Sequence, residues 1–343
     1  NTSPTAAITY SPSSSAYSSG DTVTITATLD ESMSTAPKIT VGGVSTAADP
    51  TLMTTVGGSY GPSSATPKYT FSYTVGSGDG DATITLSDGL DLAGNQVIGT
   101  PTTGATFVID NTAPVNNVFT ASVIKKGTDN VTIVSSGDSS NAVWFAPTGT
   151  SVFTAGTNMT TVGGTAETIA VPDTDGIYYL FIIDVAGNVS SPSTATLTVD
   201  NTSPTAAITY SPDRPYTSGD SVLITATFDE PMSVTPQITI GGASTGQSLV
   251  DMTSDATFPS SNATPKYTYN YVVGGGDGDG TINLSTGTDL AGNVVAGTPS
   301  NNTFTVDNVS PNTQDAVLGG SDVRVKSGVS VSITAGSIIN TVW

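Results

Sequence analysis

The chain has 343 residues, 28 of them acidic and 8 basic, which gives a net charge of −20, and it contains no histidine and no cysteine. Nucleic acids and anionic lipids need a basic surface, so this balance excludes both as main partners and favours metal cations. Without histidine and cysteine, zinc sites, thiol nucleophiles and most acid–base catalysis near neutral pH are also excluded. No apolar run reaches the ~18 residues of a membrane-spanning helix, so no direct membrane insertion is predicted in this segment.

The sequence repeats itself over most of its length. Residues 1–12 (NTSPTAAITYSP) recur unchanged at 201–212, and the similarity continues downstream, which predicts one long module at 1–110 and again at 201–307. The shorter stretch at 111–200 is predicted to be a second kind of module. Its residues 141–144 (NAVW) return as NTVW at 340–343, so residues 308–343 are predicted to be the N-terminal part of a further short module.

Each long module is predicted to consist of short β-strands. Threonines at every second position of 22–28 alternate with Val23, Ile25, Ala27 and Leu29, a period of two that predicts a strand with one apolar face. Similar runs are predicted at residues 5–10, 37–41, 51–56, 67–75, 82–86 and 104–109. About seven short strands in roughly 100 residues is typical of an immunoglobulin-like sandwich. The predicted fold class is therefore all-β, a tandem array of immunoglobulin-like β-sandwich domains that alternates long and short modules.

Every predicted module ends on the same phrase, Asp-Asn followed two residues later by Pro. The aspartates of these junctions are Asp110, Asp200 and Asp307. Proline fixes its own φ and disfavours helix at the residue before it, so each junction is predicted to be an extended link that stiffens the passage to the next domain.

A second phrase, Asp-x-Ala-Gly-Asn, stands near each module end, at 91–95, 184–188 and 289–293, and DTDGIY stands at 173–178. Together with the junctions, these phrases resemble the Ig-like repeat domains of prokaryotic (bacterial and archaeal) surface-layer proteins and large surface adhesins. The resemblance covers essentially the whole chain. It implies an extracellular protein of the cell surface that binds calcium at or near the joints between its domains.

The topology expected for these domains places the acids at the joints. In an immunoglobulin-type sandwich the B–C and F–G loops lie where the chain enters, and the A–B and E–F loops where it leaves. The first joint is predicted to bring together Asp79, Asp81, Asp110, Asp138, Asp184 and Asn188, with Asp21 as the weakest candidate. The second is predicted to bring together Asp129, Asp173, Asp175, Asp200, Asp229, Glu230, Asp289 and Asn293. A third would use Asp277, Asp279 and Asp307, with Asp220 as a weak candidate. Calcium, which takes six to eight oxygen ligands, is the predicted cofactor.

Other interpretations of these acids stay open. Asp-x-Ala-Gly-Asn is also the pattern of a turn in which the aspartate accepts local N–H bonds and the glycine adopts a positive φ. Gly-Asp-Gly-Asp lacks the final glutamate of an EF-hand and is also compatible with an ordinary turn. Asp229 and Glu230 are strand neighbours that point to opposite sides, so at most one of them is expected to reach an ion. Asp21 and Asp220 also fit solvated turns.

The aromatic residues of the short module predict its core. Residues 178–183 are apolar on both faces of one strand, so the face of Tyr178 is predicted to be core, with Tyr178 in the role of a tyrosine corner. The other face is covered either by a loop of the same domain or by a neighbouring subunit. Trp144 and Trp343 are predicted core tryptophans of strand C. Asn-x-Ser/Thr sequons occur at Asn1, Asn130, Asn158, Asn188, Asn201, Asn262, Asn283, Asn301 and Asn308, and whether they carry sugar is left open.

The function predicted from these features is structural. The chain is interpreted as part of a prokaryotic surface layer or surface fibre, with joints made rigid by calcium, an acidic surface that holds cations, and self-assembly with copies of itself or neighbouring surface subunits. The alternative is the stalk of a large calcium-dependent adhesin. An enzyme, for example a glycosidase with paired acids, is not predicted, because the acids stand at repeated positions and not in one cleft.

Overall fold

The computed structural model describes residues 2–44, 49–243 and 246–310, and the predicted module at 308–343, with its Trp343, lies outside these ranges except for its first three residues. The backbone of the described residues is built from short β-strands and contains no α-helix; Gly58–Tyr60 forms one turn of 3-10 helix. The chain divides into two compact units, one ending at Asn201 and the other beginning at Thr202. Within the described residues, no helix has the length and hydropathy needed to cross a membrane.

The first unit begins with a β-sandwich formed by residues 6–109, here called the first sandwich. Its strands are β1 (Ala6–Ser11), β2 (Ala16–Tyr17), β3 (Thr22–Leu29), β4 (Met33–Thr35), β5 (Lys38–Gly43), β6 (Thr51–Leu52), β7 (Thr54–Thr55), β8 (Lys68–Thr74), β9 (Gly80–Ser87), β10 (Leu90–Asp91) and β11 (Thr106–Ile109). One sheet has the order β1-β3-β8-β7 and the other β2-β11-β9-β5-β6, with β4 and β10 paired separately. These are the A-B-E-D and A′-G-F-C-C′ sheets of an immunoglobulin-like domain, including the parallel pairing of β2 with β11.

The alternating pattern of β3 explains how this sandwich acquires its core. Val23, Ile25 and Ala27 are fully buried, Leu29 is nearly so, and the threonines between them face outward. They pack with Tyr69, Ile84 and other buried side chains of the first sandwich in one hydrophobic cluster. Full burial of a Val, Ile or Leu side chain stabilises a fold by about 1.5–3 kcal/mol, so this one strand contributes a large share of the hydrophobic stabilisation.

The second sandwich, formed by residues 118–199 in the same unit, has its own hydrophobic cluster. Its strands are β12 (Val123–Lys125), β13 (Asn130–Thr132), β14 (Ala142–Pro147), β15 (Thr160–Gly163), β16 (Thr168–Ala170), β17 (Gly176–Ile183) and β18 (Leu197–Val199). The larger sheet has the order β12-β18-β17-β14-β15, which is again A′-G-F-C-C′, while β13 and β16 form a two-stranded B–E sheet. Compared with the first sandwich, this one is shorter because its A and D strands are not formed among the described residues.

The predictions for the aromatic residues of the second sandwich are confirmed in part. Tyr178 is buried and its hydroxyl donates to the carbonyl of Thr174 at 2.7 Å, which confirms the tyrosine corner. The prediction that Trp144 is a core residue is wrong, because Val143 and Phe145 face the core and Trp144 faces the other side of the sheet. There, Phe153 from the loop after β14 contacts both Trp144 and Phe181, with ring centroids 5.7 and 5.4 Å apart. A loop of the same domain therefore covers this outer face.

The second unit contains the third sandwich, formed by residues 206–306, which repeats the design of the first. Its strands are β19 (Ala206–Ser211), β20 (Ser221–Phe228), β21 (Met232–Val234), β22 (Gln237–Gly242), β23 (Gln247–Asp251), β24 (Thr253–Ser254), β25 (Lys266–Val272), β26 (Gly278–Ser285), β27 (Thr288–Asp289) and β28 (Thr303–Val306). The sheets have the orders β19-β20-β25-β24 and β23-β22-β26-β28, and β21 pairs with β27. The predicted all-β, tandem immunoglobulin-like fold is confirmed, while the exact module boundaries stay predictions.

Candidate functional site

The Asp-x-Ala-Gly-Asn phrases form turns at the entry end of each sandwich, here called the entry-end turns (91–95, 184–188 and 289–293). In the first of them, Oδ1 of Asp91 accepts the N–H groups of Ala93 and Asn95, both at 2.8 Å, and Oδ2 accepts Nδ2 of Asn95 at 2.7 Å. Gly94 adopts a φ of +88°, which favours glycine. In this copy of the phrase, one carboxylate therefore binds three N–H donors.

Two of these turns are packed against the B–C segment of their own sandwich. Asp91 lies opposite Met33, and Asp289 lies opposite Met232, in short antiparallel pairs. The residues are only 3% and 1% exposed, and they are the buried carboxylates among the described residues. The B–C and F–G segments thus meet at the entry end, as the immunoglobulin topology predicts.

The hydrogen bonds inside the turn also set the acidity of Asp91. The side-chain amide of Asn95 is the largest influence and, with the N–H groups of the turn, holds the pKa of Asp91 below its ordinary value of 3.8, although burial acts in the opposite direction. Hydrogen bonds to the charged form favour that form. The carboxylate is therefore kept ionised at neutral pH, which is the state that a cation requires.

The turn at 184–188 contacts the preceding junction. Asn188 donates its backbone N–H and Nδ2 to the two oxygens of Asp184, each at 2.9 Å, as Asn95 does to those of Asp91. Nδ2 of Asn188 also donates to the carbonyl of Asp110, again at 2.9 Å. Asp184 and Asn188 are half-buried, and the contact joins the F–G turn of the second sandwich to the chain that leaves the first.

The third sandwich brings two of the predicted acids close together. A carboxylate oxygen of Glu230 lies within 4.8 Å of one of Asp289. Asp289 also accepts the N–H groups of Gly292 at 2.7 Å and Asn293 at 2.9 Å, and Nδ2 of Asn293 at 2.8 Å. Asp229 faces elsewhere, because its carboxylate accepts the N–H and hydroxyl of Thr205 at 2.8 and 2.7 Å. Glu230 and Asp289 are therefore a candidate pair of cation ligands, here called the Glu230–Asp289 pair.

At the opposite end of each sandwich, the junction asparagine joins three loops. The backbone N–H of Asn111 donates to Oδ1 of Asp79 at 2.5 Å, its Nδ2 donates to the carbonyl of Gly78 at 2.5 Å, and its Oδ1 accepts the N–H of Ser19 at 2.6 Å. The A–B loop, the E–F loop and the departing chain are thus held at one point, which confirms that they meet at the exit end.

The same arrangement recurs at the other junctions. Asn201 donates its N–H to Asp175 and accepts the N–H of Gly127, both at 2.8 Å. Asn308 donates its N–H to Asp277 and accepts the N–H of Ser218, both at 2.6 Å. We call Asn111, Asn201 and Asn308 the junction asparagines. The aspartates of the Asp-Asn phrases do not point to this role of the asparagines, and the repetition of the asparagine in every phrase is the signal that indicates it.

The remaining predicted ligands occupy varied positions. Oδ1 of Asp110 accepts the N–H of Thr112 at 2.9 Å, and Oδ1 of Asp307 that of Val309 at 3.0 Å. Asp138 is exposed and accepts the N–H and hydroxyl of Ser140 at 2.8 and 2.6 Å, which lowers its pKa. Asp81, Asp173 and Asp279 are exposed acids at or near the exit ends, and the backbone N–H of Asp200 donates to the carbonyl of Lys125 at 3.0 Å.

Local turns and ion pairs account for the weak candidates Asp21 and Asp220 and for Asp129. Asp21 and Asp220 accept the N–H groups of Ser18 and Thr217 at 2.9 and 2.8 Å, as expected for turn residues. Asp129 lies 3.9 Å from Lys125. Among residues 2–44 and 49–201, no three acidic carboxylates lie within 4.8 Å of one another. A calcium site at the first joint therefore stays a prediction.

Comparisons with known proteins give likenesses in fold. No family model matches the chain, and no curated protein does. A titin I-band fragment, I67–I69, is 12% identical over 90% of this chain and all of its own, with a TM-score of 0.28. Fibronectin(III)-like modules of CbhA from Clostridium thermocellum are 14% identical over 56% of this chain and 94% of theirs, with a TM-score of 0.30. The chicken CNTN1 domains FN1–FN3 are 12% identical over 89% of this chain and 99% of theirs, with a TM-score of 0.27. The chain is thus similar to tandem immunoglobulin-like and fibronectin type III domains.

Proposed function

We propose that this chain is a structural, extracellular protein of a prokaryotic cell surface, whose tandem immunoglobulin-like domains form part of a surface layer or fibre. Calcium bound at the entry ends of its domains would make the joints rigid. The observation that carries the calcium proposal is the Glu230–Asp289 pair, in which one of two neighbouring carboxylates is buried. Two carboxylates this close repel each other, and a bound cation removes that repulsion.

The donor set of the pair suits calcium. It offers only oxygen ligands, which calcium and magnesium prefer and which softer metals do not. A carboxylate has about four lone-pair sites, and the turn at 289–293 occupies three of those on Asp289, so one remains for a cation. Glu230 would supply further oxygens, and calcium completes its six to eight ligands with backbone carbonyls and water.

The first junction supports the link between calcium and the joints. There, the turn at 184–188 already contacts the carbonyl of Asp110 through Asn188. In the repeated sequence, Asp200 corresponds to Asp110, and the turn at 289–293 corresponds to that at 184–188. By this correspondence, Asp200 stays a predicted calcium ligand.

The structural role follows from the same features. Immunoglobulin-like domains in series typically serve as non-catalytic structural modules, and the acids here stand at repeated turns and junctions. The excess of acidic residues gives the surface a strong negative charge that holds cations and keeps chains apart until those cations are bound. Electron microscopy of the protein with calcium distinguishes a surface layer, which gives ordered sheets, from an adhesin stalk, which stays as single rods.

Calorimetric titration with calcium tests the metal site. We expect Glu230→Gln to remove one binding site or weaken it at least tenfold, because the variant keeps the shape of the side chain and loses its charge. Glu167→Gln, which changes an exposed acid outside every predicted site, is the matched control and should bind as the wild type does. An unchanged number and affinity of sites in Glu230→Gln would contradict the proposed metal centre, while the structural role would still be tested by microscopy.

A further inference from the structure

The second sandwich differs from the other two along the outer edge of its B strand. In the first sandwich, β1 covers β3 over six residue pairs, and in the third, β19 covers β20 over six pairs. In the second sandwich β13 is the B strand, and within the described residues it pairs only with β16. One edge of β13 is therefore left without a strand.

The backbone of β13 presents hydrogen-bonding groups at this edge. Ile133 donates its N–H to Glu167 and Asp129 accepts that of Val171, so the odd-numbered residues face β16. Because the direction of the backbone N–H and C=O groups alternates from residue to residue along a strand, those of Asn130 and Thr132 point away from β16. Within the described part of the chain, the backbone bond on that side is Val134 N–H to the carbonyl of Val118, at 2.9 Å.

A groove runs along the same edge. It has a volume of about 330 Å³ and lies between β13 and residues 118–125. Its apolar lining includes Val118, Phe119, Val131 and Ile133, all of them buried, and Lys125 lies on its border. An open edge beside an apolar cavity provides the two elements by which sheets bind extended peptides, namely backbone hydrogen bonds and pockets for alternate side chains.

We propose that this edge, here called the β13 groove, binds an extended segment of another protein as an added antiparallel strand. The other sandwiches indicate its chemistry, because the strand that covers their B strand places apolar residues inward, Ala6 and Ile8 in the first and Ala206 and Ile208 in the third. An acidic residue near one end of the segment would pair with Lys125, whose contact with Asp129 is long at 3.9 Å and partly exposed to solvent.

Charge favours a different protein over a second copy of this chain. In the absence of bound cations, two copies, each with a net charge of −20, repel one another. The two described strands that have this apolar sequence, β1 and β19, are already paired with β3 and β20. The proposal concerns a site at the side of the second sandwich and does not depend on calcium at its ends.

The probe is a synthetic peptide with the sequence of residues 4–11 (PTAAITYS) and an aspartate added at one end, since it reproduces a strand that covers a B strand in this protein and carries the acidic residue expected to face Lys125. Binding is measured by fluorescence anisotropy of the labelled peptide, and located by the NMR shifts of the Asn130 and Thr132 amides. We expect saturable binding with shifts at these two amides. The same peptide with proline in place of the isoleucine is the control and should bind at least tenfold more weakly.

Thr132→Pro tests the edge itself. The N–H that proline lacks at this position points to the groove, so the variant keeps the ladder with β16 and should lose at least tenfold in peptide affinity. Thr132→Ala keeps the N–H and should bind within about twofold of the wild type. Ala121→Trp, which fills the groove from its border, provides a second variant if Thr132→Pro does not fold.

Three results would overturn the proposal. The first is a wild-type protein that does not bind the peptide at millimolar concentration. The second is equal binding by the wild type, Thr132→Pro and Ala121→Trp, which would place the peptide elsewhere. The third is self-association that Thr132→Pro abolishes, measured by sedimentation, because the occupant would then be a second copy.

Discussion

The entry and exit ends of each sandwich use the same two residue types in opposite ways. At the entry end an aspartate accepts the bonds, and its asparagine lies in the same turn, as with Asp289 and Asn293. At the exit end an asparagine joins three separate loops, and the aspartate is one of its acceptors, as with Asn308 and Asp277. Acidic residues near a joint therefore accept hydrogen bonds that hold turns and loops together. These bonds have to be identified before any of the residues is assigned to a metal.

The entry ends also differ among themselves. The turns at 91–95 and 289–293 have buried aspartates that are packed on the B–C segment. The turn at 184–188 has a half-buried aspartate, and its asparagine contacts the junction of the preceding sandwich. One phrase thus supports both a turn internal to its domain and a contact between consecutive domains, because Nδ2 of asparagine has two hydrogens and the turn uses only one.

Removal of the buried carboxylate at the entry end should cause the largest loss of local stability. Asp289→Ala leaves three donors of the turn without their acceptor, and each unsatisfied buried group costs ~1–3 kcal/mol, so we expect a local loss of about 3 kcal/mol. Hydrogen exchange of peptides covering 287–296, measured with a chelator present, reports this loss apart from any metal. Asp279→Ala, an exposed acid of the same sandwich, is the control. Equal protection in both variants would show that the turn does not depend on its carboxylate.

Substitution of a junction asparagine at the exit end should cost less stability than removal of the entry-end carboxylate. Asn308→Ala removes two side-chain bonds, those to the Gly276 carbonyl and from the Ser218 N–H, and we expect a loss of about 2 kcal/mol. Asn308→Asp keeps the acceptor for Ser218 but replaces the donor with a second carboxylate beside Asp277, so it should cost at least as much. Both losses are measured by hydrogen exchange at residues 216–220. If exchange there is unchanged, the junction asparagine does not hold the loops together.

The sequence predicts the strands and the fold well because alternation is a local property. It fails where partners are distant in the chain. The three bonds of Asn111 reach residues 32, 33 and 92 positions away, so no local pattern reveals them. The predicted strand at 51–56 is two short strands, because the buried Met53 separates β6, which pairs with β5, from β7, which pairs with β8. The prediction of a core position for Trp144 is wrong because its neighbours Val143 and Phe145 are equally apolar, so the pattern does not identify which face is buried.

The smallest expected effect is a change in the pKa of Asp91. It tests whether the hydrogen bonds of the turn at 91–95 stabilise the charged carboxylate. Because the folded pKa is lowered from 3.8, the stabilisation is present above that value and is lost as the pH falls through the folded pKa. NMR titration should place Asp91 below 3.8, and Asn95→Ala, which removes the largest cause, should raise its pKa towards that value. Gln96→Ala, at an exposed neighbour, should leave it unchanged. If the pKa of Asp91 is at or above 3.8 in the wild type, burial outweighs the hydrogen bonds. The entry-end turn then does not keep its carboxylate ionised, as a cation requires, at acidic pH.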